Sequence, residues 1–151
     1  MYAPGYSGRW NKEGERVLYT STSPALAMAE TMAHRLGQGY FSQGFSLITL
    51  KVSDTAEMEE ISLNDLPKKW RMYTSYQNTQ PIGSDWYRRK QGLLLKVPSA
   101  VVPGDFNVLI HAAHPEYEKV KLKDRIPFPF DERFLQMDKV LKQSSTTKDI
   151  K

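Results

Sequence analysis

Apolar and polar positions alternate over Phe45 to Val52, with Ile48, Leu50 and Val52 on one face and Phe45 and Leu47 on the other. A period of two predicts a strand. Ala25, Ala29, Met32, Ala33 and Leu36 recur instead at helical spacing. Ser23 suits the N-cap of that helix, Pro24 its first position and Gly37 its stop. Val17-Leu18-Tyr19 predicts a short strand within Arg16 to Thr20, and Glu60 to Ser62 a further one. Residues 63–83 read as one helical turn near Pro67 to Trp70 and then a polar connector, with Ser84 capping a short helix to Lys90. Leu93 to Val97 is a nearly continuous apolar run, as in a strand buried on both faces. Phe106 to Ile110 and Val120 to Leu122 predict two more strands, and residues 131–141 a last helix. No repeat or linker interrupts this order, which predicts one α+β domain over residues 1–142 and a disordered Ser/Thr/Lys-rich tail over 143–151.

Composition narrows the class. A chain of 151 residues, 40% hydrophobic, can bury one useful core. No apolar run approaches the roughly 20 residues of a membrane span, and residues 1–20 lack the pattern of a signal peptide. The absence of cysteine excludes disulfides, thiolate-bound zinc and a thiol nucleophile, and is compatible with a reducing cytoplasm. The net charge of +4 is spread over local groups such as Lys68-Lys69 and Arg88-Arg89-Lys90. Aromatics are not interleaved with them as in a stacking platform for single strands, and an anionic small ligand or an acidic protein partner explains the charge as well as nucleic acid does.

Several polar residues fall at the ends of these elements. Glu30 borders the apolar stripe of its helix, where a carboxylate is either paired or turned to water. Arg9 lies in Ser7-Gly8-Arg9-Trp10-Asn11, where glycine permits close backbone approach and a guanidinium suits phosphate, or simply a surface beside a packed tryptophan. Tyr19 could stack on a ligand ring or pack in the core. Ser99 follows a buried strand, a frequent ligand position, and lacks a nucleophile-elbow context. Asn107, His111 and His114 follow. The two histidines lack a third ligand pattern, so no metal is expected, and His114-Pro115 is expected to shape a loop near the site.

In order, Gly8-Arg9-Trp10-Asn11, Gly14, Val17-Leu18-Tyr19-Thr20, Ala25-Leu26-Ala27-x-x-Glu30, Trp70-Arg71, Ile82-Gly83-x-x-Trp86, Leu95-x-Val97-Pro98-Ser99, Asn107, His114-Pro115 and Phe130-Asp131-Glu132-Arg133 resemble the RES domain, named for an Arg, a Glu and a Ser. The resemblance spans residues 7–134. It implies a single domain similar to ADP-ribosyltransferases, with a split β core and flanking helices. It also implies a bacterial cytoplasmic toxin of a type II toxin–antitoxin system that cleaves the nicotinamide–ribose bond of NAD by hydrolysis or phosphorolysis. Alternatives are transfer of ADP-ribose to a protein, or an inactive relative that only binds its antitoxin. NAD would be the substrate and no cofactor is implied.

On the same resemblance Arg9 would bind the NAD phosphates or ribose, Tyr19 would stack on nicotinamide, Glu30 would stabilise the ribosyl cation, and Ser99 and Asn107 would hold the substrate. The implied partner is an Xre-like helical antitoxin, with acidic residues expected to face Arg88-Arg89-Lys90; a homo-oligomer is also compatible. Family members carry an N-terminal strand with a further arginine. Only residues 1–8 precede Arg9 here, so the strand is expected to be missing, or replaced by residues 1–6 with Tyr2 and Tyr6 packed in its place.

Overall fold

The computed structural model describes residues 2–39, 41 and 44–148. Six strands form two sheets. The first sheet contains β1 (Val17–Ser21), β3 (Met58–Glu60), β4 (Leu94–Pro98) and β5 (Phe106–His111) in the order β1-β5-β4-β3. β5 is antiparallel to both β1 and β4, and β3 runs parallel to β4. The second sheet is a ribbon of β2 (Phe45–Val52) and β6 (Val120–Phe128), antiparallel, with a register shift between Thr49 and Leu50. This is the expected split β core.

Alternate side chains of the first sheet feed two cores. Val17, Leu95, Val97 and Leu109 pack with Ile61 and all three tryptophans, Trp10, Trp70 and Trp86. On the other face Leu94 and Ile110 pack with Leu93 and Val120, flanked by Leu18, Leu50, Val52 and Val108. Burial on both faces explains the nearly continuous apolar run at Leu93 to Val97, interrupted only by partly exposed Lys96.

Three helices complete the fold: α1 (Pro24–Arg35), α2 (Tyr76–Arg89) and α3 (Glu132–Lys148). α1 starts as its sequence predicts, the Ser23 hydroxyl accepting from the Leu26 N–H at 3.1 Å. α2 begins eight residues before the expected Ser84, because Pro81 and Gly83, which fall in the expected polar connector, are accommodated inside the helix. Pro81 lies inside the helix, and the carbonyl it leaves unbonded belongs to exposed Gln77. Gly83 is a contact residue: a Cβ there would sit 1.9 Å from the Trp10 carbonyl oxygen. The glycine lets α2 lie directly on the Trp10 backbone.

Further differences follow from exposure and length. β3 lies two residues before the strand expected at Glu60 to Ser62. β6 continues from the expected Val120–Leu122 to Phe128, though most of it faces solvent. Its Lys121, Lys123, Asp124 and Arg125 give no apolar alternation, and pairing with β2 rather than burial defines it. α3 runs to Lys148, so the tail expected to be disordered from residue 143 is helical that far, and the rest lies outside the described residues. Buried Asp138 ties α3 to the end of α1, accepting from the Gly37 N–H at 2.6 Å and the Gly39 N–H at 3.3 Å.

Residues 2–16 form no strand. Tyr2 and Tyr6 do not pack as expected, each being 75% exposed. Buried Asn11 knits this segment instead, its amide donating to the carbonyls of Tyr6, Lys12 and Glu15 at 2.8–3.1 Å. The turn is closed by Gly14 N–H on the Gly5 carbonyl.

Candidate active site

The ends of three strands meet under α1. Ser21 closes β1, Asn107 lies opposite it near the start of β5, and Ser99 follows the last residue of β4. Glu30 reaches them from the middle of α1. Its Oε1 accepts from the Ser99 hydroxyl at 2.8 Å and from the Asn107 amide at 2.6 Å. Asn107 is held in turn by Ser21, whose hydroxyl donates to the amide oxygen at 2.8 Å. Glu30 is therefore neither a solvated rim residue nor an ion-pair partner, and its Oε2 has no hydrogen-bond partner among the described residues.

Ser99 is 1% exposed and its hydroxyl is fully used. It donates to Glu30 and accepts from the Val101 and Val102 N–H groups at 3.1 and 2.9 Å. One donor and two acceptors exhaust a hydroxyl. In this structure Ser99 thus holds Glu30 and closes the turn after β4.

Arg9 and Tyr19 form a second group. The Tyr19 hydroxyl donates to Asn11 Oδ1 at 2.7 Å and accepts from the Trp10 N–H at 3.0 Å. Burial of that hydroxyl raises its pKa, while the residue as a whole is 47% exposed. Gly8 makes this approach possible, since a Cβ there would lie 2.5 Å from the Tyr19 hydroxyl. The Arg9 guanidinium donates to the carbonyls of Trp70, Arg71 and Met72 at 2.6, 3.2 and 3.3 Å. Arg9 spends much of its donor capacity pinning residues 70–72, and the remainder has no partner among the described residues.

Tyr76, in the segment read as a polar connector, joins the two groups. Its ring lies under Arg9, with Cζ 4.8 Å from the centroid. Burial raises the pKa of its hydroxyl; Arg9 opposes the shift, and Tyr73 and Glu30 add to it. Contacts run from Tyr76 to Arg9, from the adjoining Trp10 to Tyr19, and from Ser21, two residues along the same face of β1, through Asn107 to Glu30. The only sequence signal for it was the aromatic pair Tyr73 and Tyr76, three apart, and that became meaningful once α2 was seen to start there.

Other candidates fall elsewhere. His111 donates from Nε2 to the Tyr87 carbonyl, and His114 from Nε2 to the Lys90 carbonyl, at 2.9 and 3.0 Å. Both clasp the C-terminal end of α2, roughly 20 Å along the helix from Tyr76, so His114-Pro115 does not shape the site as expected. Among the described residues no group of three or more His, Cys, Asp or Glu side chains could hold a metal ion. The Arg88-Arg89-Lys90 group is less available than its sequence suggests: Arg89 pairs with Glu59 at 2.6 Å and Asp85 at 2.9 Å, and Arg88 approaches Asp85 at 3.6 Å. A recess of about 60 Å³ between α1 and the β2–β6 ribbon, lined by Met28, Phe45 and Phe128 among others, contains no titratable residue and does not include Glu30.

A family model for the RES domain matches residues 1–131. The chain belongs to the RES domain family. "Toxin Res" of Yersinia enterocolitica is 32% identical over 132 residues, covering 87% of this chain and 86% of its own. The "Prs ADP-ribosylating toxin" of a Sphingobium species is 32% identical over 131 residues, covering 85% and 81%. Among solved structures, that of the M. tuberculosis MbcT–MbcA toxin–antitoxin complex contains a chain that superposes with a TM-score of 0.68 at 14% identity, covering 93% of this chain and 79% of that one. The RES fold seen here is thus shared with a chain of that complex, as a mixed α+β domain. No helix among the described residues is long and apolar enough to cross a membrane.

Proposed function

We propose that this chain is the toxin of a toxin–antitoxin pair and that it cleaves the nicotinamide–ribose bond of NAD. The observation that carries the reading is the Glu30 carboxylate, fixed through Oε1 by Ser99 and Asn107 while Oε2 stays unpartnered among the described residues. The nicotinamide of NAD is already cationic and leaves with the bonding electron pair without needing a proton. The group that needs help is the ribosyl carbon, where positive charge develops, and a fixed carboxylate oxygen stabilises it. Water, phosphate or a protein side chain then bonds to that carbon. The half-exposed Tyr19 offers a ring beside the cleft for the leaving nicotinamide.

The names of the RES relatives and the toxin–antitoxin origin of the structural neighbour support the toxin reading. A cytoplasmic site of action and a helical Xre-like antitoxin belong to the same proposal. The relative named as ADP-ribosylating supports transfer to a protein as the second reading. The deciding experiment incubates the pure protein with NAD alone, with added phosphate, and with bacterial protein extract, and identifies products by mass spectrometry. Free nicotinamide is expected, with ADP-ribose, its phosphate ester or an ADP-ribosylated protein naming the acceptor. Intact NAD under all three conditions would overturn the proposal.

A further inference from the structure

The hydrogen-bonding capacity of the site is unevenly spent. Four hydroxyls surround it, those of Tyr19, Ser21, Tyr76 and Ser99. Tyr19 is locked to Asn11 and Trp10, Ser21 to Asn107, and Ser99 to Glu30 and two backbone N–H groups. The Tyr76 hydroxyl alone has no partner among the described residues. Its ring is not loose: Arg9 lies on it at 4.8 Å, and the Tyr73 ring lies at 5.4 Å. Arg9 is in turn braced by the three carbonyls of residues 70–72, so a rigid support presents an unspent hydroxyl. A group held in place with its polar end free is ready to bind a ligand at little ordering cost.

We propose that the Tyr76 hydroxyl and Glu30 Oε2 together bind the hydroxyls of the nicotinamide ribose, making Tyr76 a substrate-contacting residue of this site. The inference rests on the NAD reading above. A sugar diol offers donors to the carboxylate oxygen and an acceptor to the phenol. A phenol is protonated across the neutral range, and desolvation only raises its pKa further, so it serves as a donor. Binding at these two atoms need break none of the hydrogen bonds that the structure already makes.

The test compares wild type with Tyr76→Phe, which keeps the ring and its contact with Arg9, on NAD and on NAD lacking the 2′- or the 3′-hydroxyl of the nicotinamide ribose. Tyr76→Phe is expected to lower kcat/KM on NAD roughly tenfold, the effect of one lost neutral hydrogen bond to substrate. On the deoxy analogue that lacks the contacted hydroxyl, variant and wild type are expected to be equal. A Tyr76→Phe protein with wild-type kinetics on NAD overturns this inference and leaves the NAD reading standing. Equal loss on NAD and on both analogues also overturns it, because the hydroxyl would then act elsewhere than on the ribose. A wild-type chain that neither binds nor consumes NAD overturns both.

Discussion

The Ser99 hydroxyl donates to Glu30 Oε1 at 2.8 Å across 69 positions of sequence. The bond joins the end of β4 to α1 and points one carboxylate in one direction. Two of the three residues that name the RES domain are thus one hydrogen-bonded unit, and the serine serves the glutamate. Glu30→Gln keeps the shape of that unit and removes its charge. Nicotinamide release from NAD is expected to fall on the order of 10²–10³-fold, with an unchanged melting temperature. Full turnover by a folded Glu30→Gln protein would falsify the role.

Ser99→Ala separates positioning from binding. The variant loses the donor to Glu30 and the acceptor for the Val101 and Val102 N–H groups in a partly exposed turn. A stability loss of about 0.5–1.5 kcal/mol is expected from the lost hydrogen bonds, together with a lower kcat and little change in KM. A raised KM with kcat intact would show instead that Ser99 touches substrate.

Arg9→Lys tests how far the arginine is an anchor. Lysine cannot span the three carbonyls of residues 70–72 from one planar group. Destabilisation of about 1–2 kcal/mol is expected, with faster proteolytic cutting after Lys69 and Arg71. Unchanged stability and cutting, combined with lost turnover, would mean that Arg9 works on substrate alone.

Gly83→Ala should disrupt the packing of α2 on the N-terminal segment. The added methyl would meet the Trp10 carbonyl at 1.9 Å, a backbone atom that cannot swing aside. Overpacking of this kind costs about 1–3 kcal/mol, which for a domain of this size is roughly 2–4 °C of melting temperature per kcal/mol. A melting temperature equal to or above wild type would show that the helix shifts at no cost.

His111 should make stability depend on pH. It is 0% exposed and stacked on Tyr87 with ring centroids 4.0 Å apart. Burial lowers its pKa from the ordinary 6.5, the Tyr87 carbonyl opposes this, and His114 and Lys90 add to it. Above about pH 6.5 the imidazole is neutral in both folded and unfolded chains, and it imposes no penalty. As pH falls below that value the unfolded chain takes up the proton first, so stability declines. Melting temperature is expected to fall between about pH 7 and pH 5, and less steeply in His111→Gln. Parallel profiles would assign the acid sensitivity to other groups.

What the sequence by itself determined is local. Ser23, Pro24 and Gly37 bracket α1 because caps and stops act within one turn of chain. The alternation at Phe45 to Val52 and the apolar run at Leu93 to Val97 declare their strands because each position reports its own burial. The ordered motif series likewise carried the family and the identity of Glu30 and Ser99. Only the tertiary structure decided the start of α2, since Gly83 reads as a breaker until Trp10 is seen lying against it. It alone revealed the length of β6, whose exposed charged residues are held by pairing with β2 rather than by burial. It also decided the division of labour at the site. A hydroxyl or guanidinium carries the same donors in any sequence, and distant backbone and side chains determine which are spent. Arg9 is occupied by carbonyls 61–63 positions away, and Ser99 by a carboxylate on another element. Tyr76 is left with a hydroxyl that has no partner among the described residues.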